Sequence, residues 1–261
     1  MSFLRIVSLS DDETAGSKLF NEHGICLYIE HGDNRILFGT GASALFFSNA
    51  ERLGIAAGKA DTVILPLNSD DITSGVETAV RKNKNLRIFI REDAAADCAK
   101  KEKLLRVRNG LPQSFYKSDK YNIFRFERFT EVCKDFYLVA ADKKEKSAET
   151  DRHYYIKKKG FYVADDFSEE CFAVCFPKRR RDGFVILTGG AYTGIAGIVN
   201  TAKRLWNAPV LSVVGCFGYT NQSGKLISSQ GSITRSAEEL LKLRTGSIYT
   251  CHNTGRKGYD I

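Results

Sequence analysis

At 261 residues, with 43% hydrophobic and 27% charged side chains, the chain can bury a large core, which excludes a disordered polymer. No apolar run reaches the roughly 18–20 residues that a membrane-spanning helix needs, so no membrane is expected as a partner. A formal net charge of +8 leaves nucleic acid, or a small anionic molecule, as partners to weigh.

The chain opens on strand-like residues 4–9, in a segment too quickly polar for a secretory signal, and continues with strands at 24–30 and 35–38. His31-Gly32-Asp33-Asn34 forms the tight turn between the last two, because Gly and Asn tolerate positive φ. Residues 42–53 read as a helix stopped by Gly54, 61–65 as a buried strand closed by Pro66, and 86–91 as a further strand. Between them, Asp71 or Thr73 is placed to cap a helix over 76–82. This alternation points to α/β layering. From 100 to 160 the pattern is less regular. Aromatic fragments at 121–126 and 135–140 and a polar run at 142–152 read as antiparallel strands with exposed connections. Buried strands at 171–176 and 183–187 follow, joined by the basic turn 177–182. A helix at 194–206 carries Ile195, Ile198, Val199, Ala202 and Leu205 on one face. A strand at 209–214, a helix at 236–243 opened by the capping box Ser236-x-x-Glu239 and ended at Gly246, and a strand at 247–250 complete the series.

The seven cysteines, Cys26, Cys98, Cys133, Cys171, Cys175, Cys216 and Cys251, are odd in number and include no C-x-x-C pair. That argues against a disulfide framework or a zinc ribbon, and reads as small buried hydrophobes in a reducing cytoplasm. Basic residues cluster at 100–103, 143–146, 157–159 and 178–181. Such clusters are solvated turns unless they share one face with aromatic side chains.

Four loops follow buried strands, at 66–75, 188–194, 215–221 and 251–255, and sites commonly lie in such places. Thr188-Gly189-Gly190 ahead of Gly194 can turn backbone N–H groups toward an anion, though the Lys-Ser/Thr of a phosphate loop is missing. No G-x-S-x-G elbow is present. Cys216 and His252, in separate loops, leave a Cys–His pair open. Asp71 and His252 are the candidate catalytic side chains. His23, Asn68, Ser69, Asp70, Tyr192, Thr193, Asn253 and Thr254 are the candidate ligand-binding ones.

Segments in this order resemble the metallo-β-lactamase superfamily, and within it the branch of dihydropterin (ribofuranosyl)aminobenzene phosphate synthase-like proteins. Glu22-His23-Gly24-Ile25 resembles the branch's E-H-G opening strand, and Leu37-Phe38-Gly39-Thr40-Gly41 its L-F-D-T-G. Asn49-Ala50 with Leu53-Gly54-Ile55 resembles its N-A-x-x-L-G-I. Leu187-Thr188-Gly189 with Gly194-Ile195 resembles its L-T-G-C-S-H-x-G-I, and His252-Asn253-Thr254-Gly255 its H-C-T-G. The resemblance implies an α/β protein, a single αββα sandwich over residues 1–261; the irregular region 100–165 is a candidate lid over its cleft. It also implies a metal-dependent hydrolase or transferase acting on a phosphate-bearing or pterin-like metabolite.

The metal motif of the superfamily, H-x-H-x-D-H, is degenerate here: the matching positions hold Leu67, Ser69, Asp71 and Ile72. The His of C-S-H is Tyr192, the His of G-G-F-H is Gly218, and the Asp of D-T-G is Gly39. Asp71 and His252 remain as donors, whereas a catalytic zinc takes about three protein ligands. No cofactor is therefore expected, with zinc or another divalent metal as the alternative. The residues favour a metal-independent or noncatalytic binder of a small anionic ligand over a metal-dependent hydrolase or an RNA-binding relative. The plainer readings stay open: Asp71 as a helix cap, His252 as a buried hydrogen-bonded residue, and Tyr192, Leu67 and Ile72 as filling for the space a metal would take.

Overall fold

A computed structural model describes residues 3–14, 16, 18–95, 97–102, 105–141 and 154–261. The basic cluster at 143–146, the polar run at 142–152 and His153 lie outside the described residues. The first strands are β1 (Leu4–Ser10), β2 (Cys26–His31), β3 (Asn34–Phe38), β4 (Thr62–Ile64) and β5 (Arg87–Arg91). Then come β6 (Cys98–Glu102), β7 (Leu105–Asn109), β8 (Asn122–Phe126), β9 (Phe129–Cys133) and β10 (Phe136–Ala140). The remainder are β11 (Tyr154–Lys158), β12 (Phe161–Ala164), β13 (Cys171–Cys175), β14 (Phe184–Thr188), β15 (Val210–Gly215) and β16 (Ser247–Thr250). The helices named below are α1 (Leu45–Arg52), α2 (Asp70–Thr73), α3 (Val76–Lys82), α4 (Gln113–Tyr116), α5 (Ile195–Leu205) and α6 (Gln230–Lys242).

The chain divides into two compact units, one of residues 4–127 and 152–169, the other of 1–3, 128–151 and 170–261. In the first, a six-stranded sheet runs β1-β2-β3-β4-β5-β8. Its strands are antiparallel up to β3 and parallel from β3 to β8. Leu37, Val63, Ile88 and Ile90 from the sheet pack with Phe46 of α1 and Val76 of α3. Burying a side chain such as Phe46 contributes about 1.5–3 kcal/mol. Gly54, at φ +68°, stops α1 as its sequence position requires.

A second sheet of this unit, β12-β11-β6-β7, is antiparallel throughout. The pairings Lys101↔Arg106, Ala99↔Arg108, Tyr155↔Ala99 and Lys157↔Tyr162 put Lys101, Arg106, Arg108, Tyr155, Lys157 and Tyr162 on one face. There the Arg106 guanidinium lies 4.4 Å from the Tyr155 ring centre. One lysine from each of two basic clusters, Lys101 and Lys157, thus does share a face with aromatic side chains.

In the other unit the sheet runs β16-β15-β14-β13-β10-β9. Strands β9 to β14 pair antiparallel, and β14-β15-β16 are parallel. Ile195, Ile198, Val199 and Ala202 of α5 and Ile233 and Leu240 of α6 join its core.

Several expected details are corrected. Leu205 is 51% exposed, so the buried stripe of α5 ends at Ala202. Helix α6 begins well before Ser236, which is buried inside it; its cap is Ser229, whose hydroxyl accepts the Ser232 N–H at 3.3 Å. Gly231, Ser232 and Thr234, all weak helix formers, hid those first turns. Helix α3 starts after Gly75, and neither Asp71 nor Thr73 caps it, because both belong to the separate turn α2. Helix α1 starts at Leu45 because Ser43 is used to bond Glu22 and to accept the Leu45 N–H. The fragment at 121–126 is not antiparallel: β8 extends the parallel part of its sheet, with Phe124 stacked on Phe89 at 5.1 Å.

Candidate functional site

Three of the four loops follow neighbouring parallel strands, β14, β15 and β16, and meet within one unit. Asn253 ties them together. Its side-chain amide donates to the Tyr192 hydroxyl at 2.9 Å, and its side-chain carbonyl accepts the Gly218 N–H at 3.0 Å. Its backbone carbonyl accepts the N–H groups of Tyr219 and Thr220 and the Thr220 hydroxyl. The Thr254 hydroxyl accepts the Phe217 N–H at 3.0 Å. His252 is buried at φ +47° and opens the 3-10 turn His252–Thr254. Cys216 lies beside Cys251, with the sulfurs 3.5 Å apart.

The loop 188–194 does turn its N–H groups toward an anion, but that anion is part of the chain. The buried carboxylate of Glu170 accepts from Tyr192 N at 3.0 Å, from Thr193 N at 2.9 Å and from the Thr193 hydroxyl at 2.7 Å. Burial pushes the Glu170 carboxyl up, and these hydrogen bonds pull it back. A phosphate at these amides would have to displace Glu170.

The loop at 66–75 belongs to the other unit, and its side chains stitch it to residues 109–111. Asn68 accepts the Leu111 N–H at 2.8 Å; Asp70 accepts the Gly110 N–H at 2.7 Å and pairs with Lys100 at 3.4 Å. Asn109 accepts from Asp70 N at 3.1 Å and from the Ser69 hydroxyl at 3.3 Å. The Ser69 hydroxyl also bonds the Asp71 carboxylate, and the Asp71 carbonyl accepts the Ile25 N–H at 3.0 Å. In the same unit His23 Nδ1 lies 3.0 Å from the Asp12 carboxylate.

The donor set at the superfamily's metal positions does not fit a metal pair. Leu67 and Ile72 are buried and have no lone pairs. Gly39 sits at φ +72°, and a Cβ there would meet the Ile25 carbonyl at 2.5 Å, so no carboxylate can be hung from it without moving backbone. Gly218, at φ +64°, is closed off in the same way: a Cβ would lie 2.9 Å from the Gly190 carbonyl and 3.1 Å from the Tyr192 ring. Tyr192 thus fills the space that a histidine at 218 would need.

A polar group that sequence reasoning missed lies in the unit of 4–127 and 152–169. Ligand atoms of Cys98, Asp165 and Glu169, all three buried, lie within 4.8 Å of one another. Burial pushes the Cys98 thiol up, and the Glu169 and Asp165 carboxyls push it the same way. The Asp165 carboxyl is raised by burial against a hydrogen bond from the Phe167 N–H. The visible signal was Glu169-Glu170, two acids set directly before the apolar strand β13.

Strand order, the parallel β14-β15-β16 edge and the loops that follow it define an α/β sandwich with the metallo-β-lactamase superfamily fold, as expected from the sequence. The likeness is carried by the crystal structure of Tm1679, a metal-dependent hydrolase of the β-lactamase superfamily. It is 25% identical, with a TM-score of 0.81 over 98% of this chain and 91% of its own. The uncharacterized protein MJ0448 of Methanocaldococcus jannaschii is 22% identical over 213 residues, 81% of this chain and 78% of its own. No protein-family model matches the chain. Among the described residues, no helix is long and apolar enough to cross a membrane.

Proposed function

We propose that the chain binds a small anionic metabolite on a hydrolase fold without using the superfamily's metal centre. The observation that carries this is the filling of the metal positions: Leu67 and Ile72 are core residues, and Tyr192 closes the place of a histidine at Gly218. The net charge of +8 favours an anion, and the resemblance to the dihydropterin-synthase-like branch makes phosphate-bearing, pterin-like compounds the first to try. The test is metal analysis of protein purified without chelator, beside Asp71→Ala and His252→Ala, together with thermal shifts in inorganic phosphate and pyrophosphate. The expected result is a phosphate-dependent rise in melting temperature and a metal content that neither substitution changes. Stoichiometric metal lost in either variant would restore the metal-dependent hydrolase, the class to which Tm1679 belongs.

A second reading rests on the cationic face of β12-β11-β6-β7, where four Lys or Arg side chains accompany Tyr155 and Tyr162. This is the composition of a single-stranded RNA surface, where bases stack on aromatics and cations track phosphates. A steep fall of oligonucleotide binding with salt would support it, and a flat dependence would remove it.

A further inference from the structure

We propose that Cys98, Asp165 and Glu169 form a zinc site. Its ligands are none of residues 67, 69, 71 and 72, and it goes beyond the function proposed above.

The topology builds the cluster from distant parts of one unit. Pairing of β6 with β11 sets Cys98 opposite Ile156, and the chain returns through β12 to Asp165. The loop behind it is held in place. Asp165 accepts the Phe167 N–H at 2.8 Å, Phe167 adopts φ +49°, and Arg91 donates to the Ser168 carbonyl at 3.4 Å. Asn68 reaches the Cys98 sulfur at 3.9 Å. The result is a thiol and two carboxylates at 3%, 5% and 2% exposure, with their ligand atoms inside 4.8 Å.

A thiol and two carboxylates this close offer one sulfur and two oxygen donors to a single ion. A zinc ion at about 2.3 Å from sulfur and about 2.0–2.2 Å from oxygen would need only a small contraction of this cluster. A thiolate among the ligands selects zinc over magnesium or calcium, which prefer oxygen.

An independent observation points the same way. The Tyr116 hydroxyl of α4 is 2% exposed and has no hydrogen-bond partner among the described residues. It lies within electrostatic reach of Cys98 and Glu169. A buried hydroxyl of this kind is normally satisfied. Three protein ligands leave a fourth position, and a water held there would give Tyr116 its partner. On binding, the Cys98 thiol releases its proton to solvent as sulfur bonds the ion, and both carboxylates coordinate unprotonated.

The test uses the full chain, loaded with Zn²⁺ or Co²⁺ and freed of excess ion. The expected result is one zinc per chain and, with cobalt, a thiolate-to-metal absorption band in the near ultraviolet. Cys98→Ser should abolish the band, while Cys251→Ser and Asp71→Ala should keep it. Glu169→Gln should weaken zinc binding at least tenfold, and Tyr116→Phe, which removes a supporting hydrogen bond, about tenfold. Failure of the folded wild-type chain to hold zinc, or survival of the band in Cys98→Ser, would overturn the site. If Cys98→Ser does not fold, Glu169→Gln decides by the same titration, since it keeps both the thiol and the side-chain shape. Metal lost in Asp71→Ala but kept in Cys98→Ser would overturn both proposals. Metal lost only in Cys98→Ser would leave the proposed function untouched.

Discussion

Glu169 and Glu170 are neighbours in sequence and both buried, yet they belong to different units and different chemistry. Glu170 meets backbone and hydroxyl donors of the loop after β14, so its charge is answered by hydrogen bonds. Glu169 lies with a second carboxylate and a thiol. The loops after β14, β15 and β16 are tied to one another through the Asn253 amide and the Thr254 hydroxyl. The cluster around Cys98, where the class motif has nothing, gathers metal-binding atoms. Position in a fold therefore predicts chemistry only through the side chains that occupy it.

The largest effect expected from this contrast is in Glu170→Ala. It strands two backbone N–H groups and a hydroxyl inside the unit, which should lower unfolding free energy by about 4 kcal/mol in urea titrations. In the chelated chain, Glu169→Gln should change the same quantity by less than about 1 kcal/mol, because relief among three acidic groups offsets lost interactions. Equal losses at the two positions would erase the distinction. Next in size is Gly218→His, which restores the superfamily's residue type. It forces a side chain into a left-handed conformation and against the Gly190 carbonyl and the Tyr192 ring, and should cost about 3 kcal/mol. A variant as stable as wild type that gained metal would show that the loop cluster is an open site after all.

Much of the frame was legible because local signals agreed with the fold. The apolar runs at 24–30, 171–176 and 183–187 became β2, β13 and β14, and Gly54 stands just beyond helix α1, whereas α6 is ended by Arg244 at φ +52° and not by Gly246. Loss of ligands at 67, 72 and 218 was equally plain, since Leu, Ile and Gly side chains carry no lone pair, and at 192 a neutral tyrosine hydroxyl is a poor zinc ligand. Other features were hidden for physical reasons. Ser236-x-x-Glu239 imitates a helix start, but a serine hydroxyl caps only where backbone N–H groups are free, and α6 has its own at Ser229. Cys98 resembled any small buried residue, and only the β6–β11 pairing brings Asp165 and Glu169 to it. The glycines at 189, 190 and 194 announced an anion-accepting loop without revealing that Glu170 supplies the anion.

The last expected effect is also the most specific. If Tyr192 is what excludes a side chain at 218, the two positions must be coupled rather than additive. Tyr192→Ala alone removes the ring and leaves the Asn253 amide without its partner, a loss of about 2–3 kcal/mol. In that background Gly218→His no longer meets the ring, although the positive φ and the Gly190 carbonyl remain. The double variant should therefore be more stable than the sum of the two single losses by about 1 kcal/mol. Strict additivity would place the obstruction in the backbone alone, and Tyr192 would then be a tenant of that space rather than the reason no histidine stands beside it.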